Sequence, residues 1–92
     1  MANHKSAIKR AKQSEARRMR NRARKSRMKT AIRKLEEAIR NNALDDAVVR
    51  LREATSIIAK TAAKGTIHRN TASRKISRLT KKVNGLKAAH SA

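Results

Sequence analysis

Residues 17–42 read RRMRNRARKSRMKTAIRKLEEAIRNN, and they change character at Met28. From that point Met28, Ala31, Ile32, Leu35, Ala38 and Ile39 recur at intervals of three and four, so they share one face of a helix and predict a core there. Projected back toward the N-terminus at about 100° per residue, the same face meets Arg24, Asn21 and Arg17, which are unfit to line a core. Packing is expected to stop near Met28. Everything upstream must be helix without a bundle around it, or no helix at all.

Between Lys5 and Lys29 stand twelve Lys and Arg residues against the single acid Glu15, with no Pro or Gly to interrupt a helix. Asn3 or Ser6 can cap its start, and Asn41 with Asn42 marks its end. Such a helix is about 50 Å long at about 1.5 Å per residue, longer than any bundle a chain of this size can build around it. Ala16, Met19 and Ala23 lie on a different face from the Met28 stripe, and cations occupy nearly the whole circumference. Like charges at i,i+4 spacing repel, so this arm is expected to fray when free and to order on an anionic partner.

Downstream, Asn42 followed by Asp45 and Asp46 supplies a cap and two carboxylates for the start of a second helix, predicted from about residue 44 to 64. Leu44, Ala47, Val48, Leu51, Thr55, Ile58 and Ala62 form its apolar stripe, with Ile57 at the flank and Val49 opposite. Gly65 can end it in the left-handed conformation. A third helix begins near Arg69 or Asn70, where Ala72, Ile76, Leu79, Val83 and Leu86 make a bundle seam while Arg74, Arg78 and Lys81 point the other way. The expectation is one all-α domain over 1–92: a three-helix bundle at 28–87, a long, highly basic N-terminal helix projecting beyond it as an arm at 1–27, and a frayed tail at 88–92.

Ninety-two residues carry a formal charge of +20, concentrated in the two ends. That density points to a phosphate-rich partner. With no cysteine there are no disulfides, thiolate metal sites or thiol chemistry. With no Phe, Tyr or Trp the base stacking of single-strand binders is absent, which favours readout of backbone and shape on folded helices. His4, His68 and His90 are scattered, and the carboxylates other than Glu15 fall between Glu36 and Glu53, where helix-surface pairs such as Glu36 with Arg40 explain them. Neither catalysis, a metal, a cofactor nor a small-molecule substrate is expected. No apolar run is long enough to span a bilayer, and the arm lacks the apolar moment of a membrane-surface helix.

One motif misleads. Asn21, Arg22, Ala23, Arg24, Lys25, Ser26 and Arg27 look like the basic region of a zipper transcription factor. The Asn stands two residues too close to the Ser–Arg pair, however, and seven residues beyond Leu35 comes Asn42 rather than a leucine. The turn Lys64, Gly65, Thr66, Ile67, His68, Arg69, Asn70 is more informative. Ile67 can plug the bundle end, Asn70 can cap the third helix and His68 can bond locally, while Lys64, His68, Arg69 and Asn70 offer donors to a phosphate or sugar hydroxyl near a helix N-terminus.

The opening Ala2-Asn3-His4-Lys5-Ser6-Ala7-Ile8-Lys9-Arg10, the following Gln13-Ser14-Glu15 and the segment AKGTIHRNTASR from Ala63 to Arg74 together resemble the bacterial small-subunit ribosomal protein S-twenty family, over essentially the whole chain. The resemblance implies a three-helix protein of the cytoplasmic ribosome, bound directly to small-subunit ribosomal RNA at its 5′ domain and long penultimate helix, with few protein contacts. It carries RNA binding onto Lys5, Ser6, Lys9 and Arg10, and onto Lys64, His68, Asn70 and Arg74. Charge and position add Lys12, Arg17, Arg18, Arg20, Arg22, Arg24, Lys25, Arg27, Arg69, Arg78 and Lys81. Composition alone also permits a nucleoid-type architectural DNA-binding protein. The Asn41–Asn42 turn departs from the glycine-containing turn of many family members.

Overall fold

The computed structural model describes residues 2–91, with side chains from Lys5 onward. Three helices, α1 (Ala2–Arg40), α2 (Leu44–Ala63) and α3 (Arg69–Ser91), account for nearly all of it, with no strand among the described residues. α1 already includes Ala2, so Ser6 is an interior helical residue rather than a cap, and the side chain of Asn3 lies outside the described residues.

Two turns of the same chemistry reverse the chain. After α1, Asn42 takes φ 56°, its N–H bonds to the Ile39 carbonyl at 3.1 Å and the Ala43 N–H reaches the Ala38 carbonyl at 2.9 Å. After α2, Gly65 takes φ 78°, with the Gly65 N–H on Ala62 at 2.9 Å and the Thr66 N–H on Thr61 at 3.2 Å. Both are Schellman closures, which satisfy carbonyls left over at a helix end. Asn42 therefore ends α1 and does not cap α2. The cap position falls to Ala43, whose side chain has no oxygen to offer, and Asp45 and Asp46 alone favour the positive end of α2.

The core is the one that the spacing implies on α1: Met28, Ala31, Leu35 and Ala38 are buried, with Ile32 and Ile39 packed at its edge. On α3 Ala72, Leu79, Val83 and Leu86 are buried and Ile76 is half-buried. α2 differs. Its deepest residues are Ala47, Ala54, Ile58 and Thr61, while Leu44, Val48 and Leu51 sit only partly covered. α2 lies between the other two helices, making extensive contact with both while α1 and α3 barely touch. Where one helix is approached from two sides, small side chains occupy the closest line and larger ones flank it, which explains why Ala54 and Thr61 displace the leucines.

Two polar contacts set the register of α3 against α1. The Thr66 hydroxyl donates to Asn21 Oδ1 at 3.0 Å, and Lys82 Nζ reaches Glu36 Oε1 at 3.5 Å. From Asn21 to Glu36 is fifteen residues and from Thr66 to Lys82 sixteen, so α3 runs parallel to α1 with nearly equal rise. Glu36 thus pairs across the bundle with Lys82, not along its own helix with Arg40. α3 stays helical through Ser91, beyond the fraying expected from Ala88. Gly85 keeps a helical conformation there, and the Ser91 hydroxyl bonds back to the Lys87 carbonyl at 3.0 Å. The molecule measures 73 × 21 × 14 Å with a radius of gyration of 18.4 Å, whereas a compact chain of this length comes to about 12 Å. The part of α1 before Asn21 projects by about 28 Å and produces most of that elongation.

Candidate nucleic-acid interface

Full burial on α1 begins at Met28, but contact with the bundle reaches two turns further. Asn21 and Arg24 are half-buried, because Asn21 Oδ1 accepts both the Thr66 hydroxyl at 3.0 Å and Arg24 Nη1 at 3.3 Å. The helical face that cannot line an apolar core here meets a polar turn instead. Met19, at 67% exposure, lies outside the core, unlike Met28 at 4%.

Before Asn21 every described side chain is exposed. Lys5, Ser6, Lys9, Arg10, Lys12, Arg17, Arg18 and Arg20 all stand in solvent, followed by Arg22, Lys25 and Arg27. Placed at about 100° per residue, the cations from Lys5 to Arg22 leave no angular gap wider than about 80°. The helix is cationic all round and can meet phosphate on more than one side. Glu15 is its only acid, and among the described residues no ion pair involves any arm residue.

A second feature escaped the sequence reading. Arg18, Arg22, Lys25, Lys29 and Arg33 line one shallow groove along α1, so the cationic row runs past Met28 along the flank of α1 that also carries Glu36. Its signal was available: these residues recur at three and four, the same rhythm as the apolar face but turned from it by about 115°.

The α2–α3 turn differs in detail from expectation. The His68 carbonyl accepts the Ala72 N–H at 3.1 Å, and His68 Nδ1 accepts the Asn70 N–H at 3.1 Å. His68 is therefore the N-cap of α3, satisfying a helix-terminal donor, while Asn70 sits inside the first turn with its side chain exposed. The other ring nitrogen, Nε2, takes no part in that bond. Lys64, Arg69 and Asn70 are exposed around it, and Ile67 is half-buried against the core. Arg74, Arg78 and Lys81 continue along the exposed side of α3.

The acids gather elsewhere. On α2, Asp46 and Glu53 flank Arg50 at 3.5 and 3.2 Å, beside exposed Asp45 and Val49. No group of acidic, histidine or cysteine side chains that could hold a metal occurs among the described residues, and none of their helices is long and apolar enough to cross a membrane.

Such a molecule presents its charge on the outside of three helices; its class is that of small, strongly basic helical proteins. Residues 2–84 match the family model described as ribosomal protein S20, and the chain belongs to that family. It is 63% identical over 86 residues to the small ribosomal subunit protein bS20 of Syntrophobacter fumaroxidans, covering 94% of this chain and 100% of that one. The protein of the same description from Desulfotalea psychrophila is 56% identical over 89 residues, 97% of this chain and 100% of the relative. That of Desulforapulum autotrophicum is 60% identical over 81 residues, 88% and 96% of the two chains.

Proposed function

We propose that this protein is a structural constituent of the small ribosomal subunit in the cytoplasm, that it binds small-subunit ribosomal RNA directly, and that it stabilises the folding of that RNA during assembly. The observation that carries the proposal is the arm: a helix free of the bundle, exposed from Lys5 to Arg20 and cationic around its circumference. A surface patch serves one phosphate backbone. An arm of this kind fits between two, replacing counterions on both sides and drawing the RNA helices together.

The relatives' description as small ribosomal subunit proteins supports the same reading. The turn with Lys64, His68, Arg69 and Asn70, and α3 with Arg74, Arg78 and Lys81, would grip from the bundle. The resemblance directs the arm and bundle to the RNA 5′ domain and the long penultimate helix. The acidic side of α2, unsuited to phosphate, faces away from the RNA.

The test is a footprint of purified protein on protein-free small-subunit ribosomal RNA, at moderate salt with duplex DNA as competitor. Discrete protection that survives the competitor is the expected outcome. Diffuse protection erased by DNA would move the architectural DNA-binding reading into its place.

A further inference from the structure

Where the arm leaves the bundle, one concavity collects charge from two helices. Arg24 and Arg27 from α1 and Lys60 and Lys64 from α2 line the same cleft, with Ile57 and Thr61 completing its wall. No carboxylate lines it, and none of the four cations takes part in an ion pair among the described residues. Thr61 is buried and commits its hydroxyl to the Ile57 carbonyl at 2.7 Å, so the wall supplies no counter-charge. Four like charges around one cleft repel one another, and an anion among them relieves that repulsion.

One of the four cations is anchored in place. Arg24 is held at the edge of the cleft through Asn21 Oδ1, which is itself fixed by the Thr66 hydroxyl. One guanidinium N–H is committed by that bond, and the others remain to donate. The cleft volume of about 300 Å³ lies at the bottom of the range for small-molecule sites, and its four cations favour an anionic occupant. A tetrahedral oxyanion fits inside it with room to spare and matches its charge, because a guanidinium fork and ammonium groups can bond to different oxygens of one phosphate.

We infer that this cleft is a phosphate clamp, taking one phosphodiester group of an RNA strand that crosses the angle between α1 and α2. The inference rests on the RNA-binding reading above and adds to it a defined site, with Lys60 as a residue that neither charge runs nor motifs single out. Occupancy ties α1 to α2 at the point where the arm emerges. A phosphate in the cleft therefore fixes the direction of the arm, and the bundle contact and the arm contact become one event.

The test has two arms, both on the full chain. In the first, thermal unfolding is followed by circular dichroism while pyrophosphate is titrated against sodium chloride of equal ionic strength. The melting temperature of the wild type should rise saturably with pyrophosphate, several degrees beyond the chloride effect. Lys60→Gln with Arg27→Gln should remove most of that excess, while Lys9→Gln with Lys12→Gln, which deletes the same charge from the arm, should leave it. All four side chains are exposed, so neither pair disturbs the core. No excess over chloride, or equal loss in both pairs, overturns the clamp. In the second arm the affinity for small-subunit ribosomal RNA is measured for Lys60→Gln, Arg27→Gln and the double variant. Two side chains on one phosphate should show coupling of at least about threefold, and strict additivity overturns the inference. Loss of the clamp signatures with specific protection of the RNA intact removes the cleft and leaves the proposed function standing. Loss of specific protection by the wild type removes the function itself.

Discussion

Replacing Arg17, Arg18, Arg20 and Arg22 together by Ala separates the arm from the bundle. All four are exposed, lie before the first buried residue Met28, and touch none of the polar contacts at Asn21. Arg24 is deliberately spared, since its bond to Asn21 would bring the bundle into the measurement. If each side chain neutralises one phosphate, it contributes about 0.7 to 0.9 to the slope of log K against log salt, so the four contribute about 3 to 3.5. Between about 50 and 200 mM salt the wild type should lose about 50- to 150-fold more affinity for ribosomal RNA than the variant does. The assay is equilibrium binding across a salt series, paired with circular dichroism melts of the free proteins. The melting temperature of the bundle should hold, and free-arm helicity should rise, because Ala is the best helix former and the Arg18–Arg22 repulsion at i,i+4 is gone. An unchanged slope would sink the claim that the arm meets phosphate. A collapsed bundle would refute the separation of arm from core.

Leu35 is fully buried, so Leu35→Ala should cost about 2–5 kcal/mol, a large share of what so small a bundle holds, and its melt should broaden or vanish at ambient temperature. At the two left-handed positions the signs differ. Gly65→Ala meets no atom within 4 Å yet must hold φ 78°, and should cost about 1 kcal/mol in a denaturant titration, whereas Asn42→Gly at φ 56° should be close to neutral. For His68, Asp can replace the ring as N-cap and suits the helix dipole. His68→Asp should therefore keep the melting temperature while weakening RNA binding, and His68→Ala should lower both; a stable, fully binding His68→Asp would remove the turn from the interface. Thr66→Val and Asn21→Ala should each cost about 1 kcal/mol, with the double variant costing little more than either, and full additivity in the melts would show that their hydrogen bond carries nothing.

The helices, the core faces of α1 and α3 and the projecting arm are all legible from residue spacing, because a period of three and four on an uninterrupted helix leaves only one way to bury leucine and isoleucine. Turn chemistry is half legible. Gly65 declares itself, but Asn42 serves equally well as a cap or as a left-handed terminus, and only the observed φ decides between them. His68 takes the cap because the chain enters α3 with its ring over the Asn70 N–H, a matter of backbone direction that no composition rule contains.

Sequence by itself determines that this chain is helical, where its charge lies and that it needs a polyanion, since propensity, periodicity and net charge are local or additive properties. Tertiary structure alone decides what depends on residues distant in the chain. Asn21 meets Thr66 across 45 positions and thereby seats Arg24. Glu36 is claimed by Lys82 rather than Arg40, and α2 buries Ala54 and Thr61 because it is packed from two sides. Arg24, Arg27, Lys60 and Lys64 become one cleft only because an antiparallel turn lays α2 back along α1, bringing together cations that the chain keeps more than thirty residues apart.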